Sequence, residues 1–106
     1  MQLLVTISKP DFRCYSVLEC GASWSDVAEV CSDCKVLVDN FRNYGANCND
    51  YCIAQGLKCI GAWEEARNNC EEEDIWSCSD VILGGGNRPT SDAICQCAGG
   101  SGNLEI

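Results

Sequence analysis

Alternation of apolar and polar residues at the start of the chain predicts a β-strand. The odd positions of residues 1–8 are apolar: Met1, Leu3, Val5 and Ile7. A period of two places these side chains on one face of an extended chain. Lys9 and Pro10 end the strand, because proline cannot donate a ladder hydrogen bond. The strand either joins the domain's own sheet or, since it lies outside every cysteine-closed loop, is donated to the sheet edge of a neighbouring subunit.

A spacing of three and four between apolar residues predicts a long helix over residues 24–44. The apolar stripe consists of Val27, Val30, Cys31, Cys34, Leu37, Val38 and Phe41, and charged residues occupy the other face. Ser23 or Ser25 can cap the helix, and Gly45 can end it. The two cysteines belong to the stripe, so we expect them to be bonded into the core.

A shorter helix is predicted over residues 48–55. Asn47 can cap its N-terminus, and Gly56 can supply the residue that ends it. Cys48 and Cys52 are four positions apart and therefore lie on one face of this helix. Adjacent turns of a helix rarely present disulfide geometry to each other, so we expect each cysteine to bond to a different partner.

Extended segments dominate the second half of the chain. Strands are predicted over residues 57–64 and 80–83, with the acidic run at residues 71–74 left in solvent. The glycine-rich residues 84–89 are predicted to form a flexible loop, and Cys95 and Cys97 to share one face of a last extended segment. In residues 57–64 the period of two places Leu57, Cys59, Gly61 and Trp63 on one face.

These patterns predict an α+β fold. We expect a small disulfide-rich domain in which one long and one short helix pack on a small antiparallel sheet, with a detachable N-terminal strand. Residues 1–13 form that strand and its proline hinge, residues 14–98 the disulfide-rich domain, and residues 99–106 a flexible or partner-held tail. A chain of 106 residues has room for one domain with a modest core, so cross-links should contribute much of its stability.

Eleven cysteines identify the chain as a disulfide scaffold, which persists only in an oxidising compartment. We therefore expect an extracellular protein, secreted or displayed at a cell surface. The cysteines expected to form disulfides are Cys20, Cys31, Cys34, Cys48, Cys52, Cys59, Cys70, Cys78, Cys95 and Cys97. The odd number leaves at least one thiol without a partner in the chain. Cys14 is the first candidate for that unpaired or intermolecular cysteine and Cys20 the second; alternatively, the partner lies in a further part of a longer precursor.

Charge disfavours several classes of function. The net charge is −9 and the chain contains no histidine. Because nucleic acid and anionic lipid repel a surface with this much negative charge, we expect neither as a partner. Ser-His-Asp and Cys-His sites cannot be built, and we expect no enzymatic activity. We also expect no cofactor; calcium at the acidic run of residues 71–74 is the alternative.

The central cysteine run supports a resemblance to a known kind of module. The run CNDYCIAQGLKCIGAWEEARNNC at residues 48–70, with the ending SDAICQC at residues 91–97, resembles a cysteine-rich module of uncharacterised secreted proteins of single-celled algae. Helix cysteines followed by a strand cysteine are also similar to PAN/apple and WSC modules. These resemblances imply an extracellular interaction or carbohydrate-binding role. Extracellular algal proteins are often O-glycosylated, which makes Pro10, Pro89, Thr90 and Ser91 candidate modification sites.

Two functions fit this sequence. The first is a non-enzymatic structural subunit that forms a homo-oligomer or filament by donating the strand at residues 1–8 to a neighbour. The second is a monomeric module that binds carbohydrate or protein. For this second function Trp24, Tyr51, Trp63 and Trp76 could form a stacking platform for sugar, although large aromatic side chains in a small domain also serve as core.

Overall fold

The computed structural model describes residues 20–99. The expected N-terminal strand, Pro10 and Cys14 lie outside these residues, as does the tail beyond Gly99. Within the described range the chain forms five strands and one α-helix, and two short 3-10 turns lie at Phe41–Tyr44 and Gly85–Asn87. The elements are β1 (Val27–Ser32), β2 (Lys35–Val38), α1 (Cys48–Ala54), β3 (Leu57–Ala66), β4 (Glu71–Trp76) and β5 (Ala93–Gly99).

All five strands form one antiparallel sheet in the order β1-β2-β5-β3-β4. The small disulfide-rich α+β domain is therefore confirmed, but with one helix and mostly sheet. Gly99, predicted to begin the tail, is instead the last residue of β5 and pairs with Leu57.

The predicted long helix over residues 24–44 is wrong, because this segment forms the β1–β2 hairpin and a 3-10 turn. Val27 pairs with Val38 and Val30 with Val36, so residues three apart on β1 face residues two apart on β2. The extra β1 residue is a β-bulge, which places Val27 and Val30 on the same face and imitates the spacing of a helix. The predicted end is correct, since Gly45 adopts φ +68° just after the 3-10 turn.

The short helix is confirmed as α1. The side chain of Asn47 accepts a hydrogen bond from the Asp50 amide at 3.0 Å, as expected of an N-cap, and Gly56 follows the helix with φ +77°. Cys48 bonds to Cys95 and Cys52 to Cys97. Side chains four apart on a helix and two apart on a strand have similar separations, so two parallel disulfides attach α1 to β5.

The strand predicted at residues 57–64 is confirmed and runs on to Ala66 as β3, but its predicted face is wrong. A register shift between Cys59 and Gly61 reverses the alternation, so Ala62 and Glu64 are buried and Trp63 lies on the opposite face. The acidic side chains of residues 71–74 are exposed, as predicted, but they lie on strand β4, which the sequence analysis missed. The strand predicted at residues 80–83 is wrong, although Leu83 makes an isolated bridge to Pro89.

The main core lies between α1 and one face of the sheet. Its largest fully buried side chains are Tyr51, Phe41, Ile82, Val36 and Val38, together with the four cysteines that join α1 to β5. The opposite face of the sheet carries a second apolar row. Leu37 pairs with Ile94, and these two side chains are 2% and 0% exposed. Central strand β5 is therefore buried on both faces, which explains its mostly apolar sequence.

Candidate functional site

Strand donation requires a sheet edge with unpaired backbone groups, and the described part of the chain offers two. In the sheet order β1 and β4 are the outermost strands, and each pairs on one side only among residues 20–99. Edge strands present unpaired N–H and C=O groups to which another extended segment can bond. The two edges differ in regularity, charge and exposed apolar surface.

The β1 edge is irregular. Its six residues contain two register shifts, one between Val27 and Glu29 and one between Val30 and Ser32. Bulges twist an edge and interrupt the even spacing of its hydrogen-bonding groups. Cys31, which is bonded to Cys70, also ties this strand to the start of β4. The β1 edge therefore provides a poor ladder for a further strand.

The β4 edge is acidic and carries one register shift, beside Glu73. Five of its six side chains are exposed: Glu71, Glu72, Glu73, Asp74 and Ile75. Ile75 is 83% exposed, the highest value among the large apolar side chains described. The charges of residues 71–74 did not predict this strand, because a solvent-exposed acidic loop and an acidic edge strand have the same sequence pattern.

A disulfide and an ion pair cross the face of the sheet opposite α1 and connect strands at diagonally opposite corners. The disulfide between Cys31 and Cys70 connects β1 to the residue that precedes β4, with the Cα atoms 5.4 Å apart. Lys35 on β2 forms an ion pair with Glu72 on β4, and its Nζ lies 3.9 Å from the centre of the Trp63 ring. Both links cross β5 and β3, so the sheet must curl strongly. They close the Glu71 end of the β4 edge and leave the Ile75 end open.

Carboxyl groups gather at the end of the sheet where β2 ends, β5 begins and β3 pairs with β4. Burial raises the pKa of Glu64, although the Thr90 hydroxyl donates a hydrogen bond to its Oε1 at 3.2 Å. Burial and the nearby negative charges of Asp92 and Glu73 raise the pKa of Glu65. Burial also raises the pKa of Asp92, with Asp39 close by. Burial is therefore the main cause of all three raised pKa values, and the neighbouring carboxylates add to it.

The carboxyl oxygens of residues 71–74 do not form a group of cation ligands in this structure. Among residues 20–99, one set of three side chains brings possible metal-ligand atoms close enough together to hold an ion: Cys20, Asp33 and Cys34. Its two cysteines are bonded to each other, so they are not available as thiolate ligands. The oxygens of residues 71–74 are not gathered around a common point, as cation binding would require.

The four aromatic residues proposed as a sugar platform do not lie on one surface. Tyr51 is fully buried in the core, and the edge of Trp24 packs against it with ring centroids 6.4 Å apart. Trp76 packs against the core cluster from β4, whereas Trp63 lies on the other face of the sheet under Lys35. Sugar stacking needs exposed rings arranged together, which this arrangement does not provide.

A hydrogen-bond network instead explains the position of Tyr44 and Tyr51. Tyr44 donates to Asp26 Oδ2 at 2.6 Å, and Tyr51 donates to the Ser25 carbonyl at 2.7 Å. Gln55 holds the same segment through both its amide atoms. The Tyr44 hydrogen bond lowers the pKa of Asp26 and raises that of Tyr44. These contacts fix the loop before β1 to the helix and give these polar groups a structural role.

The candidate glycosylation sites differ in accessibility. Pro89 and Ser91 are exposed. Thr90 is 7% exposed, and its hydroxyl donates to Glu64 and to the Asp92 carbonyl. A glycan on Thr90 is therefore incompatible with the folded domain, whereas Pro89 and Ser91 remain candidates. Pro10 lies outside the described residues.

The ten expected cysteines form five disulfides. The remaining pairs, beside those of α1, are Cys20–Cys34, Cys31–Cys70 and Cys59–Cys78. Cys31 and Cys34 are thus bonded at the β1–β2 hairpin and not on a helix, and neither is fully buried. Because Cys20 is paired, it is no longer a candidate for the odd cysteine. Every cysteine of residues 20–99 is used, so none of them can pair with Cys14.

Comparison with protein-family models, with curated proteins and with solved structures found no match to this chain. The resemblance to the algal cysteine-rich module therefore stays a prediction. Five disulfides are compatible with an extracellular location. None of the helices in the described range has the length and apolar character that crossing a membrane requires.

Proposed function

We propose that the protein is a non-enzymatic extracellular subunit that assembles by donating the strand at residues 1–8 to the sheet edge of a neighbouring subunit. The observation that carries this proposal is the open edge of a sheet built around a disulfide-bonded core. An acceptor edge on one subunit and a period-two apolar segment that precedes the first cysteine in the sequence would supply the two halves of the contact.

The contact would combine two contributions. Backbone hydrogen bonds along the edge supply affinity, and insertion of Met1, Leu3, Val5 and Ile7 against one face of the acceptor sheet supplies specificity. Donor and acceptor are different surfaces, so each subunit can donate to one neighbour and accept from another. Such a head-to-tail contact forms a ring if the rotation closes and a filament if it does not.

The disulfides suit this function. Five cross-links within residues 20–99 hold the acceptor sheet rigid, including both edges through the Cys31–Cys70 bond. A rigid acceptor loses little conformational entropy when a strand is added, which favours association. Outside the cell such bonds persist, and an assembled subunit keeps its shape without the large core of a longer domain.

Deleting residues 1–9 tests the proposal. Assembly should be lost while the fold, monitored by circular dichroism and by intact-mass counting of disulfides, is retained. A matched pair of point variants separates strand insertion from a general effect of the terminus. Val5→Asp places a charge on the apolar face and should weaken assembly, whereas Gln2→Asp places the same charge on the polar face and should have little effect. Assembly that persists without residues 1–9 would refute strand donation.

A further inference from the structure

A row of apolar cross-strand neighbours ends uncovered at the β4 edge. Leu37 on β2 pairs with Ile94 on β5, Ile94 pairs with Trp63 on β3, and Trp63 pairs with Ile75 on β4. Directly opposite residues in antiparallel strands share one face of the sheet and pack side by side. Leu37 and Ile94 are buried and Trp63 is half-buried, but Ile75 is 83% exposed. The row therefore lacks a neighbour on its outer side.

We infer that the acceptor edge for the donated strand is the Ile75 end of β4, with an apolar side chain of residues 1–8 packing beside Ile75 as the next member of this row. This inference rests on the proposed strand donation and names its partner surface. The occupant is the N-terminal segment of a second copy of the chain. Its odd-numbered apolar residues would continue the face of Ile75, and its even-numbered residues would lie on the other face.

Charge also selects this occupant. Four successive β4 residues, 71–74, are acidic and exposed, so pairing β4 with the β4 edge of another copy would place like charges opposite each other. Residues 1–8 contain no charged side chain, and the next residue is Lys9. The edge thus rejects a copy of itself and accepts an uncharged strand that is followed by a cation, which is specificity by repulsion of the wrong partner.

The β1 edge fits less well. Two register shifts in six residues interrupt its ladder, and its two valines are half-buried, whereas Ile75 is exposed. The Cys31–Cys70 disulfide also occupies the C-terminal end of β1, whereas on β4 it lies at the Glu71 end. A strand that enters from the Ile75 end of β4 pairs first with Trp76, Ile75 and Asp74, before it reaches the single register shift beside Glu73.

Three single substitutions in the full chain test the inference by sedimentation equilibrium. Ile75→Asp should weaken assembly roughly ten- to a hundred-fold, because it replaces an isoleucine that would be buried on association. Ile53→Asp is the matched control, since Ile53 is 60% exposed on α1 and away from both edges. Ala28→Asp places the same charge on exposed β1. Both of these variants should assemble within about threefold of the parent chain.

The outcomes separate this inference from the proposed function. If deletion of residues 1–9 abolishes assembly and only Ile75→Asp weakens it, both stand. If the deletion abolishes assembly but Ala28→Asp, not Ile75→Asp, weakens it, the strand is donated to β1 and the inference is wrong. Equal effects of Ile75→Asp and Ile53→Asp would also overturn it. Assembly that survives the deletion overturns the proposed function itself, whatever the point variants do.

Discussion

Replacing the Cys48–Cys95 disulfide with two alanines should lower the free energy of unfolding by about 4 kcal/mol. Because the parallel Cys52–Cys97 bond remains, the loop that is opened runs only from Cys48 to Cys52 and from Cys95 to Cys97, and closing so short a loop in the unfolded chain contributes about 2 kcal/mol by the chain-entropy model. Both cysteines are fully buried between α1 and β5. Removing each sulfur leaves space in the core, and we take its loss as similar to that of a buried methylene, roughly 1 kcal/mol apiece.

The Cys31–Cys70 bond supplies the matched control. Its residues are 39 positions apart and no parallel bond closes the same loop, so the loop contribution is about 4 kcal/mol, but both cysteines are half-exposed. Replacing them with alanines should therefore destabilise the domain by a similar total, about 4 kcal/mol, nearly all of it from the loop. Guanidinium unfolding without reductant measures both variants, with intact mass confirming four disulfides in each. Free energies and not midpoints must be compared, because removing a cross-link expands the unfolded chain and changes the denaturant slope. A loss at Cys48–Cys95 of only about half that at Cys31–Cys70 would refute the contribution assigned to sulfur burial.

Three further predictions concern single residues. Glu64→Gln should stabilise the domain at pH 7 and reduce the pH dependence of its stability. The raised pKa of the Glu64 carboxyl means that the folded state binds the proton more tightly than the unfolded state, so stability falls as the pH rises above the ordinary pKa of 4.5. Thermal unfolding of both proteins at pH 5 and pH 7 measures this, and an equal response of the two to pH would contradict it. Gly61→Ala should lower the free energy of unfolding by about 1–3 kcal/mol, because the new Cβ would lie 2.4 Å from the Trp63 ring. In the control Gly85→Ala the new Cβ meets nothing within 4 Å, so the change should be less than about 0.5 kcal/mol in the same denaturation assay. Similar losses for the two variants would show that the Trp63 ring does not occupy the space beside Gly61. Thiol titration of the denatured, unreduced chain should find one thiol per monomer, or none if Cys14 links two copies; two or more would contradict the five disulfides.

The sequence predicted elements whose signals are local. Asn47 and Gly56 identified both ends of α1, because a capping side chain and a left-handed glycine act on their own neighbourhood. The separate partners of Cys48 and Cys52 followed from helix geometry alone. The strand containing Cys95 and Cys97 was likewise recognisable from its spacing.

The errors came from features that depend on pairing. The first bulge in β1 gave its valines a helical spacing, and the pattern alone could not show which partner caused it. The register shift between Cys59 and Gly61 reversed the face of Trp63. Strand β4 was missed because an edge strand is defined by its neighbour, and its charged side chains resemble a solvated loop. The exposed Ile75 and its row could be recognised only once the register was known.

The mass of the native particle shows whether the chain assembles and what holds the copies together. Light scattering of the full chain in non-reducing buffer, repeated after mild reduction, distinguishes strand donation from a disulfide between copies. Strand donation predicts a multimer or filament that persists after reduction, because backbone pairing and apolar contacts hold the subunits together. A multimer that separates on reduction would assign the contact to a disulfide, and a monomer of 11.5 kDa in both buffers would contradict assembly altogether.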